Sequence, residues 1–519
     1  MAAERQGRTE YVLGEDDRLT DLARETARRK GIRLVEKKGA EETAPPVPKA
    51  PVRTSAPAAS AAPAASVAIL PKASCDLLIK NGILVLPEAG RLRANVCVKE
   101  GKIVSLTSQT PSAGQEIDAG GLYVLPGIID PHTHLGLFAP LEEELVSEIR
   151  SAILGGVTTI GTFFNQKGSY LPLTDFLREK VPALSRVDMF PHFTLREEEQ
   201  LAELPRYCAL GMNSFKVYMC GIPGLFPHQE DGFILRTMER LKALDANPVL
   251  CVHAENVSIV EYAEKELETC SMETLAQFGQ SHPEISEGEA VIRTAYLSEK
   301  TGVRTYIVHS STRESMEALR RMKHGRLYVE TTSPYLSLDT SADVGAYGKM
   351  LPPFRSPKSR QALWDGIRSG IIDTIGTDNT TISAMEKKVH EGMEAAIAGY
   401  PALGTHLASV LDEGFFRQEI PLEKLVPLMT ENPAKIFGIY PQKGTLLPGA
   451  DGDIVLVDMN QSRTAEPERL QSRSDFSIFQ GKSLRGWPCA TIKGGRIAAW
   501  DGRLTDDMAG GRVLAHCMK

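Results

Sequence analysis

The middle of the chain, about residues 126–440, alternates short apolar runs with longer amphipathic stretches. The apolar runs are rich in β-branched and aromatic residues, as buried strands are: TTIGTFF, DMFPHFT, SFKVYM, PVLCVHAE, TYIVHSS, LYVETT and DTIGTDN. Helical periodicity marks the stretches between them, such as FILRTMERLKALDA, SEGEAVIRTAYLSEKTG and STRESMEALRRMKHG. Regular strand–helix alternation predicts an α/β fold with a (β/α)8 TIM-type barrel. An open doubly wound sheet is the alternative, but its phosphate-binding glycine fingerprint is missing.

Strand-like alternation also occurs on both sides of this middle. It is present in CDLLIKNGILVLPE, ANVCVKEGKIVSLT and EIDAGGLYVLPG, and again in GADGDIVLVDM and CATIKGGRIAAWDGRL. The dipeptides Asn81-Gly82 and Glu100-Gly101 predict hairpin turns between the strands. Together the two regions predict a small composite β-sandwich domain built from both chain ends, with residues 74–125 as its first part and 441–505 as its second. Residues 506–519 remain as a C-terminal tail.

The front of the chain has a different composition. Residues 41–73 are rich in Pro and Ala (EETAPPVPKAPVRTSAPAASAAPAAS) and predict an extended, semi-stiff linker. Residues 1–40 contain an amphipathic segment in which Thr20 can cap a helix and Gly31 suits its end. A helix this short is marginal alone in water, so we expect its apolar face to need a partner. A frayed tail without a partner is the alternative.

Overall composition narrows the class of protein. Apolar residues make up 42% and charged residues 24% of the chain, which is ordinary for a globular protein and excludes disorder and fibres. The net charge of −7 gives no electrostatic reason to expect nucleic acid as a partner. No apolar run is long enough to span a membrane, and MAAERQGRTEY lacks the apolar core of a secretory signal. We therefore expect a cytoplasmic protein with neither nucleic acid nor membrane as a partner.

Candidate chemistry begins at the end of the first predicted barrel strand, where His132 and His134 follow LYVLPGII. Residues two apart in a strand share a face, so both imidazoles point the same way. Catalytic sites of such barrels lie at the carboxyl ends of the strands. Two imidazoles on one face are typical of a metal site, and neutral nitrogen ligands suit zinc. A pair of structural core histidines is the alternative.

Later strand ends add four more candidate groups: Lys216, His253, His309 and Asp378. Each alone is weak evidence, but their occurrence on successive strand ends favours a common site. Lys216 lies on an inward-facing strand, where burial disfavours its ammonium form. A neutral amine can add carbon dioxide to form a carbamate, whose two oxygens suffice to bridge two metal ions. A lysine in a surface salt bridge is the alternative.

These motifs resemble the amidohydrolase superfamily, and within it the cyclic amidases: dihydropyrimidinase, hydantoinase, allantoinase and dihydroorotase. The resemblance covers about residues 74–505 and rests on PGIIDPHTH, GGVTT, SFKVYM, HAEN, YIVHSS, ETTSPYLSLD, LPPFRSP, ALWDGI, GTDN and NPAKIFGIYPQKGTLLPGADGDIVLVD. The amino-acid sequences of these motifs are closer to those of dihydropyrimidinase and hydantoinase than to those of dihydroorotase.

The resemblance implies a role for each candidate residue. One divalent ion, with zinc as the expected metal, would be held by His132, His134, Asp378 and carbamylated Lys216; the second would be held by Lys216, His253 and His309. A metal-bridging hydroxide would attack the carbonyl of a cyclic amide or ureide, and Asp378 would carry the proton to the leaving nitrogen. Ser333 matches the position that contacts the ring amide in the family, although a turn serine before Pro334 is the alternative.

Three departures from the family pattern concern substrate recognition. Gly221 stands where hydantoinases commonly have a tyrosine that stabilises the oxyanion. Tyr218, Tyr170 and His192 are the candidates to replace it, and the sequence does not rank them. Asn379 follows the predicted catalytic aspartate where the family usually has His, which makes Asn379 a candidate substrate contact. The family's later Asn-Gly-x-Pro-Gly-like loop is replaced by AIAGYPALGTH.

Other functions and partners stay open at this point. Within the family, an allantoinase- or dihydroorotase-type substrate is the alternative. If the protein is not an enzyme, a non-catalytic scaffold protein is the alternative. The family predicts a homo-oligomer, either a tetramer or a dimer. Residues 15–36 also resemble the encapsulation peptides of bacterial microcompartment cargo, which would bind a shell protein and place the enzyme inside the compartment. A mitochondrial presequence is the rival interpretation, but the acidic residues of this segment argue against it.

Overall fold

Two short strands at the front of the chain, β1 (Glu10–Leu13) and β2 (Arg33–Glu36), pair in parallel. The structure is a computed structural model, and it describes residues 10–13, 33–36, 75–87, 90–222, 224–505 and 509–516. The chain divides into two units, with the boundary between residues 69 and 70. The sequence did not predict the strand pair, because four-residue strands are too short to display a period.

Several predictions for the front of the chain fall outside the described residues. These are the helix from Thr20 to Gly31 and the linker over 41–73. The binding of a shell protein through residues 15–36 and the location in a microcompartment therefore stay predictions.

Both ends of the second unit contribute strands to one nine-stranded mixed sheet, as the predicted composite β domain requires. The first part supplies β3 (Cys75–Leu86), β4 (Gly90–Lys99), β5 (Lys102–Thr107), β6 (Ala113–Asp118) and β7 (Tyr123–Pro126). The second part supplies β17 (Ile454–Val457), β20 (Pro488–Lys493), β21 (Arg496–Trp500) and β22 (Arg503–Leu504). Antiparallel pairing of β17 with β7 joins the two parts. A separate ribbon pairs β18 (Ser462–Thr464) with β19 (Ser483–Arg485).

Alternation along β17 explains how this sheet packs on the rest of the molecule. Ile454 and Leu456 belong to the apolar core of the β domain itself. Val455 and Val457 point the other way and join the large core that includes the barrel helices. Because strand side chains alternate between faces, one short strand contributes to both cores.

The predicted hairpin turn at Asn81-Gly82 is wrong. Strand β3 runs straight through these residues, with a register shift between Ile79 and Gly82 against β4. Asn81 has a φ of 62°, so it occupies the left-handed conformation of a β-bulge rather than of a turn. A Cβ on Gly82 would lie 2.3 Å from Val124 Cγ2, so the glycine permits close packing at this point. The turn predicted at Glu100-Gly101 does form, between β4 and β5.

A parallel barrel follows, which confirms the predicted fold class. Its first seven strands are β8 (Ile128–His134), β9 (Val157–Phe164), β10 (Asp188–Thr194), β11 (Ser214–Tyr218), β12 (Val249–His253), β13 (Arg304–Ile307) and β14 (Leu327–Thr332). The eighth position is split into β15 (Thr374–Gly376), which pairs with β14, and β16 (Asn379–Thr380), which pairs with β8. These two pairings close the barrel, so the open-sheet alternative is excluded.

Helices cover the outside of the barrel and follow its strands. They are α1 (Leu141–Leu154), α2 (Leu171–Leu184), α3 (Glu198–Ala209), α4 (Asp231–Lys242), α5 (Val257–Glu266), α6 (Leu275–Phe278), α7 (Glu284–Thr301), α8 (Arg313–Met322), α9 (Ser333–Ser337), α10 (Pro357–Ser369), α11 (His406–Val410), α12 (Leu422–Leu425), α13 (Glu431–Ile436) and α14 (Pro467–Leu470). A π-helix, Leu411–Arg417, continues α11. Among the described helices, none has the length and apolar character needed to cross a membrane.

The described part of the C-terminal tail, residues 509–516, packs against the start of β10. The main-chain N–H of Met189 donates to Arg512 O at 2.9 Å, and Leu514 N–H donates to Met189 O at 2.7 Å. The Arg512 guanidinium pairs with Asp188, with Nη2 and Oδ2 2.6 Å apart. Leu514 is buried in the apolar core inside the barrel. The tail therefore closes the amino end of the barrel, opposite the predicted site.

Candidate metal centre

His132, His134 and Asp378 meet where the first and eighth barrel strands end. His132 and His134 lie two apart on β8, which gives both rings one direction. Oδ1 of Asp378 lies 3.2 Å from His132 Nε2 and 3.1 Å from His134 Nε2. All three side chains are buried and offer ligand atoms close enough to hold one metal ion. Three of the four residues predicted for the first metal position thus converge.

Backbone conformation brings two of the predicted ligands into the site. Asp378 interrupts the eighth strand with a φ of 56°, and His309, just after β13, has a φ of 38°. Left-handed conformations are uncommon for residues other than glycine, and they occur where the surrounding structure imposes them. Here they turn a carboxylate and an imidazole out of strand geometry, toward the same end of the barrel.

A buried carboxylate orients His132. Nδ1 of His132 lies 2.7 Å from Oε2 of Glu330 on β14, and both side chains are fully buried. The ring donates its Nδ1–H to this carboxylate, which leaves Nε2 available as a ligand. Burial alone would lower the pKa of His132, but Glu330 and Asp378 outweigh it and raise that pKa to about 9. The two carboxylates therefore make His132 a strongly basic imidazole, as the carboxylate partner of a metal-ligating histidine does.

The second pair of histidines faces each other across the barrel end. His253 Nδ1 lies 3.0 Å from His309 Nε2, and His253 Nε2 lies 3.0 Å from Glu255 Oε2. Contacts with His282 and His253 outweigh burial and hold the pKa of Glu255 well below its usual value, so this carboxylate is ionised and accepts a hydrogen bond from the Nε2–H of His253. Burial lowers the pKa values of His253 and His309, which favours their neutral, ligating form.

Lys216, at the centre of β11, is completely buried. Its Nζ has no hydrogen-bond partner among the described residues and lies 4.5 Å from the Phe163 ring centroid and 4.8 Å from that of Tyr218. Burial lowers the pKa of Lys216 to about 8. The amine is therefore unusually easy to deprotonate, which is the condition for carbamate formation.

One small cavity brings these groups together. Five of the six predicted ligands line it directly: His134, Lys216, His253, His309 and Asp378. The sixth, His132, reaches the same place through its contact with Asp378. The cavity measures about 30 Å³, which is enough to hold a water molecule. The structure thus assembles all six groups at the carboxyl end of the barrel.

The donor set suits divalent cations. Buried polar atoms normally have partners, yet Lys216 Nζ, His132 Nε2 and His134 Nδ1 have no hydrogen bond within the described residues. Neutral imidazoles facing a carboxylate and each other are the nitrogen and oxygen ligands that zinc prefers. A divalent metal therefore fits this site on the chemistry of its ligands.

The two predicted substrate contacts, Ser333 and Asn379, are buried next to the site rather than among the residues that line the cavity. Ser333 Oγ lies 3.0 Å from His406 Nδ1. Asn379 Oδ1 accepts the main-chain N–H groups of Ala402 and Leu403 at 2.9 and 3.0 Å. The side chain of Asn379 thus fastens the loop that follows the site, while its neighbours Asp378 and Thr380 face the cavity.

Backbone contacts explain the glycine at position 221. A Cβ there would lie 2.6 Å from Phe226 O and 2.8 Å from His228 N, so this loop has no room for a tyrosine. Of the three candidates for the missing donor, Tyr218 alone lines the cavity. Tyr170 donates its hydroxyl to Thr194 O at 2.8 Å, and both ring nitrogens of His192 have partners. Tyr218 is thus the candidate that the geometry favours.

Three buried carboxylates that were not predicted from the sequence support the ligands: Asp130, Glu255 and Glu330. Asp130 Oδ1 accepts the N–H groups of His132 at 3.1 Å and Thr377 at 3.0 Å, which ties the first strand to the eighth. Burial raises the pKa of Asp130 to about 7. The sequence did contain a signal for them, because all three are acidic residues within the motifs that carry the family resemblance, PGIIDPHTH, HAEN and ETTSPYLSLD.

Comparison with known proteins identifies the family. The profile of the amidohydrolase family matches residues 123–498. The L-hydantoinase of Paenarthrobacter aurescens is 31% identical over 463 residues, which cover 85% of this chain and 98% of that protein. The D-hydantoinase of Geobacillus stearothermophilus is 31% identical over 443 residues, covering 82% and 93%. The chain therefore belongs to the amidohydrolase family, in its cyclic amidase group, and is a hydrolase, as the sequence predicted.

Solved structures agree with this assignment. The dihydropyrimidinase from Brevibacillus agri has 27% identity and a TM-score of 0.78, over 85% of this chain and 98% of that one. The L-hydantoinase (dihydropyrimidinase) from Arthrobacter aurescens has 28% identity and a TM-score of 0.79, over 85% and 99%. The likeness covers the barrel and the composite β domain together.

Proposed function

We propose that this hydrolase opens the ring of a cyclic amide or ureide, of the dihydropyrimidine or hydantoin type, at a centre of two divalent ions. The observation that carries the proposal is the convergence of six ligand groups on one buried cavity, in a chain whose relatives are hydantoinases. Zinc is the metal that the ligand set favours. The product would be a ring-opened N-carbamoyl or similar amido acid.

His132, His134 and Asp378 would hold one ion, and His253 and His309 the other. The neutral amine of Lys216 would form a bond from Nζ to the carbon of carbon dioxide and release one proton, and the resulting carbamate oxygens would bridge the two sites. Two such ions, when bound, lower the pKa of a shared water toward neutrality and polarise the substrate carbonyl. The isolated, low-pKa amine of Lys216 supports this assignment.

Asp378 would carry the proton during ring opening. Its contacts with His132 and His134 outweigh burial and hold the pKa of its carboxyl well below the usual value, so it is ionised and able to accept a proton. Asp378 would take the proton as the water attacks the carbonyl carbon, and would deliver it to the ring nitrogen as the carbon–nitrogen bond breaks.

Tyr218 would stabilise the oxyanion that forms on the substrate carbonyl. After the ligands are set aside, Tyr218 and Thr380 are the polar side chains that remain among the described residues lining the cavity. Tyr218 has the longer reach, and its ring is packed flat on Phe226, with centroids 4.6 Å apart. Burial raises its pKa well above the ordinary value, so the hydroxyl keeps its proton and can donate.

Several finer assignments stay predictions beside this core proposal. They are substrate contact by Ser333 and Asn379, a dimeric or tetrameric assembly, and a cytoplasmic or microcompartment location. Allantoin-like and dihydroorotate-like rings remain alternative substrates. A non-catalytic scaffold is disfavoured because all six ligand groups are present and converge on one cavity.

A substrate screen tests the proposal. Protein expressed with zinc and bicarbonate is assayed for opening of dihydrouracil, hydantoin, 5-substituted hydantoins, allantoin and dihydroorotate, with the Lys216→Ala variant as the control. We expect turnover of at least one ring and its loss in the variant. No turnover of any of them, together with less than one metal per chain, would overturn the proposal.

A further inference from the structure

A buried lysine lies behind one wall of the metal cavity. Lys387 is completely buried, and its Nζ donates to three main-chain carbonyl oxygens: Lys349 O at 2.9 Å, Ile397 O at 2.7 Å and Gly399 O at 2.6 Å. An ammonium has three N–H donors, so every donor of Lys387 is used. A neutral amine has two N–H groups, so the full set of three bonds requires the charged form.

Burying the ammonium of Lys387 costs free energy, because the charge leaves water. No carboxylate forms an ion pair with Lys387 among the described residues, and burial, with a smaller contribution from the charge of Lys349, lowers its pKa. The three carbonyl oxygens act in the opposite direction, because hydrogen bonds to the charged form favour that form. Buried charges are normally paired with an opposite charge. Here three carbonyl dipoles take that place, in the way that carbonyl oxygens surround a bound cation.

The three carbonyls flank residues that face the metal cavity. Met350 and Leu351 follow Lys349, and Ala398 lies between Ile397 and Gly399; all three are apolar and line the cavity. The two segments also meet directly, since Gly399 N–H donates to Lys349 O at 3.0 Å. We define Met350, Leu351 and Ala398 as the apolar wall. One ammonium therefore fastens both segments of this wall from behind.

The position of the apolar wall decides how much room the site offers. A cavity of about 30 Å³ accommodates a water molecule, and a cyclic ureide is several times larger, so the walls set which ring enters and how it lies. Interiors are close-packed, and a shift of even one methylene's width in a wall is felt at the site.

We propose that Lys387 is a positioning residue that fixes the apolar wall and thereby sets substrate affinity and ring selectivity. The proposal rests on the proposed function insofar as the cavity receives a cyclic ureide. It assigns Lys387 no contact with the metals or the substrate, so its loss acts on binding of the ring and leaves the metal centre intact.

The test compares Lys387→Met with Lys242→Met. Methionine keeps the length of the side chain and removes the ammonium. Lys242 is the control because its Nζ also donates to a main-chain carbonyl, Gly302 O at 3.4 Å, and neither residue lines the cavity. For Lys387→Met we expect KM for the ring that the wild type opens to rise at least tenfold, kcat to change less than threefold, and metal content to stay the same. Lys242→Met should keep the KM of the wild type.

A second readout is independent of activity. Amide hydrogen exchange should speed up over residues 349–351 and 397–400 in Lys387→Met and not in Lys242→Met. If Lys387→Met fails to fold, Lys387→Gln, which keeps two N–H donors, should fold and show a smaller rise in KM and in exchange. If the wild type opens no ring, the proposed function fails while exchange still tests the role of Lys387. Unchanged exchange at both segments, or metal loss that accompanies the rise in KM, would overturn the proposal.

Discussion

Glu330 couples two strands of the metal centre through one oxygen atom. Oε2 of Glu330 lies 2.7 Å from His132 Nδ1, and the same oxygen accepts the main-chain N–H of His309 at 3.0 Å. One buried carboxylate thus orients both His132, which is assigned to the first metal position, and His309, which is assigned to the second. Gly376 leaves the space for it, since a Cβ there would lie 2.4 Å from Glu330 Oε1.

The first prediction concerns Glu330→Gln. The amide cannot accept the His132 proton with the strength of a carboxylate, so metal affinity should fall by about 10- to 100-fold. Titration of metal-loaded protein with a chelator measures the change. Glu314→Gln, on helix α8, should behave as the wild type; an unchanged affinity in Glu330→Gln would show that the carboxylate does not orient the ligands.

The second prediction is a pH dependence of metal loading. With a pKa of about 8, Lys216 is mostly an ammonium at pH 6.5, and the share of the neutral amine rises by about tenfold or more up to pH 8.5. Because the neutral amine reacts with carbon dioxide, metal-free protein should load zinc many times faster at pH 8.5, at equal dissolved carbon dioxide. Native mass spectrometry should show the mass of one added carbon dioxide. Equal rates at both pH values would contradict the role of Lys216.

The third prediction concerns Tyr218→Phe. Loss of an oxyanion donor lowers kcat by about 10²- to 10³-fold, while KM and metal content should change little. Steady-state kinetics on the substrate found in the screen, with metal analysis, checks this. Tyr347→Phe removes a hydroxyl from a half-exposed ring and should keep full activity. A Tyr218→Phe variant with normal kcat would exclude Tyr218 as the donor.

The fourth prediction concerns the C-terminal tail. Leu514 is 4% exposed, inside the barrel core, so Leu514→Ala should lower the free energy of unfolding by about 2–4 kcal/mol. Urea unfolding of the metal-loaded protein measures the loss, and Leu447→Ala, at a leucine that is 46% exposed, is the control. Equal stability of the two variants would mean that the tail does not close the barrel in solution.

The sequence predicted the site well where a local period determines geometry. The spacing of His132 and His134 on one strand requires that their rings share a face, and successive strand ends of a barrel meet at one end. The same logic placed Lys216, His253 and Asp378 around one centre. These relationships depend on strand periodicity and barrel closure, both of which are visible in the hydrophobic pattern.

Other features depend on contacts that no local pattern contains. Glu330 orients His132 although the two residues are 198 positions apart in the sequence. Lys387 donates to main-chain carbonyl oxygens, and because every residue has one, the sequence does not show which residues will accept. Asn and Gly both tolerate positive φ, and β-bulges use that conformation as well as hairpin turns. The local preference of Asn81-Gly82 therefore could not distinguish a bulge from a turn, and the predicted turn was wrong. Tertiary packing decided each of these cases.

Metal analysis combined with the substrate screen tests the central claim most directly. Protein expressed with zinc and bicarbonate should contain two divalent ions per chain and open a cyclic ureide, and Lys216→Ala should lose both metal and turnover. A wild-type protein with less than one ion per chain, or a Lys216→Ala variant that keeps two ions and full turnover, would contradict the account.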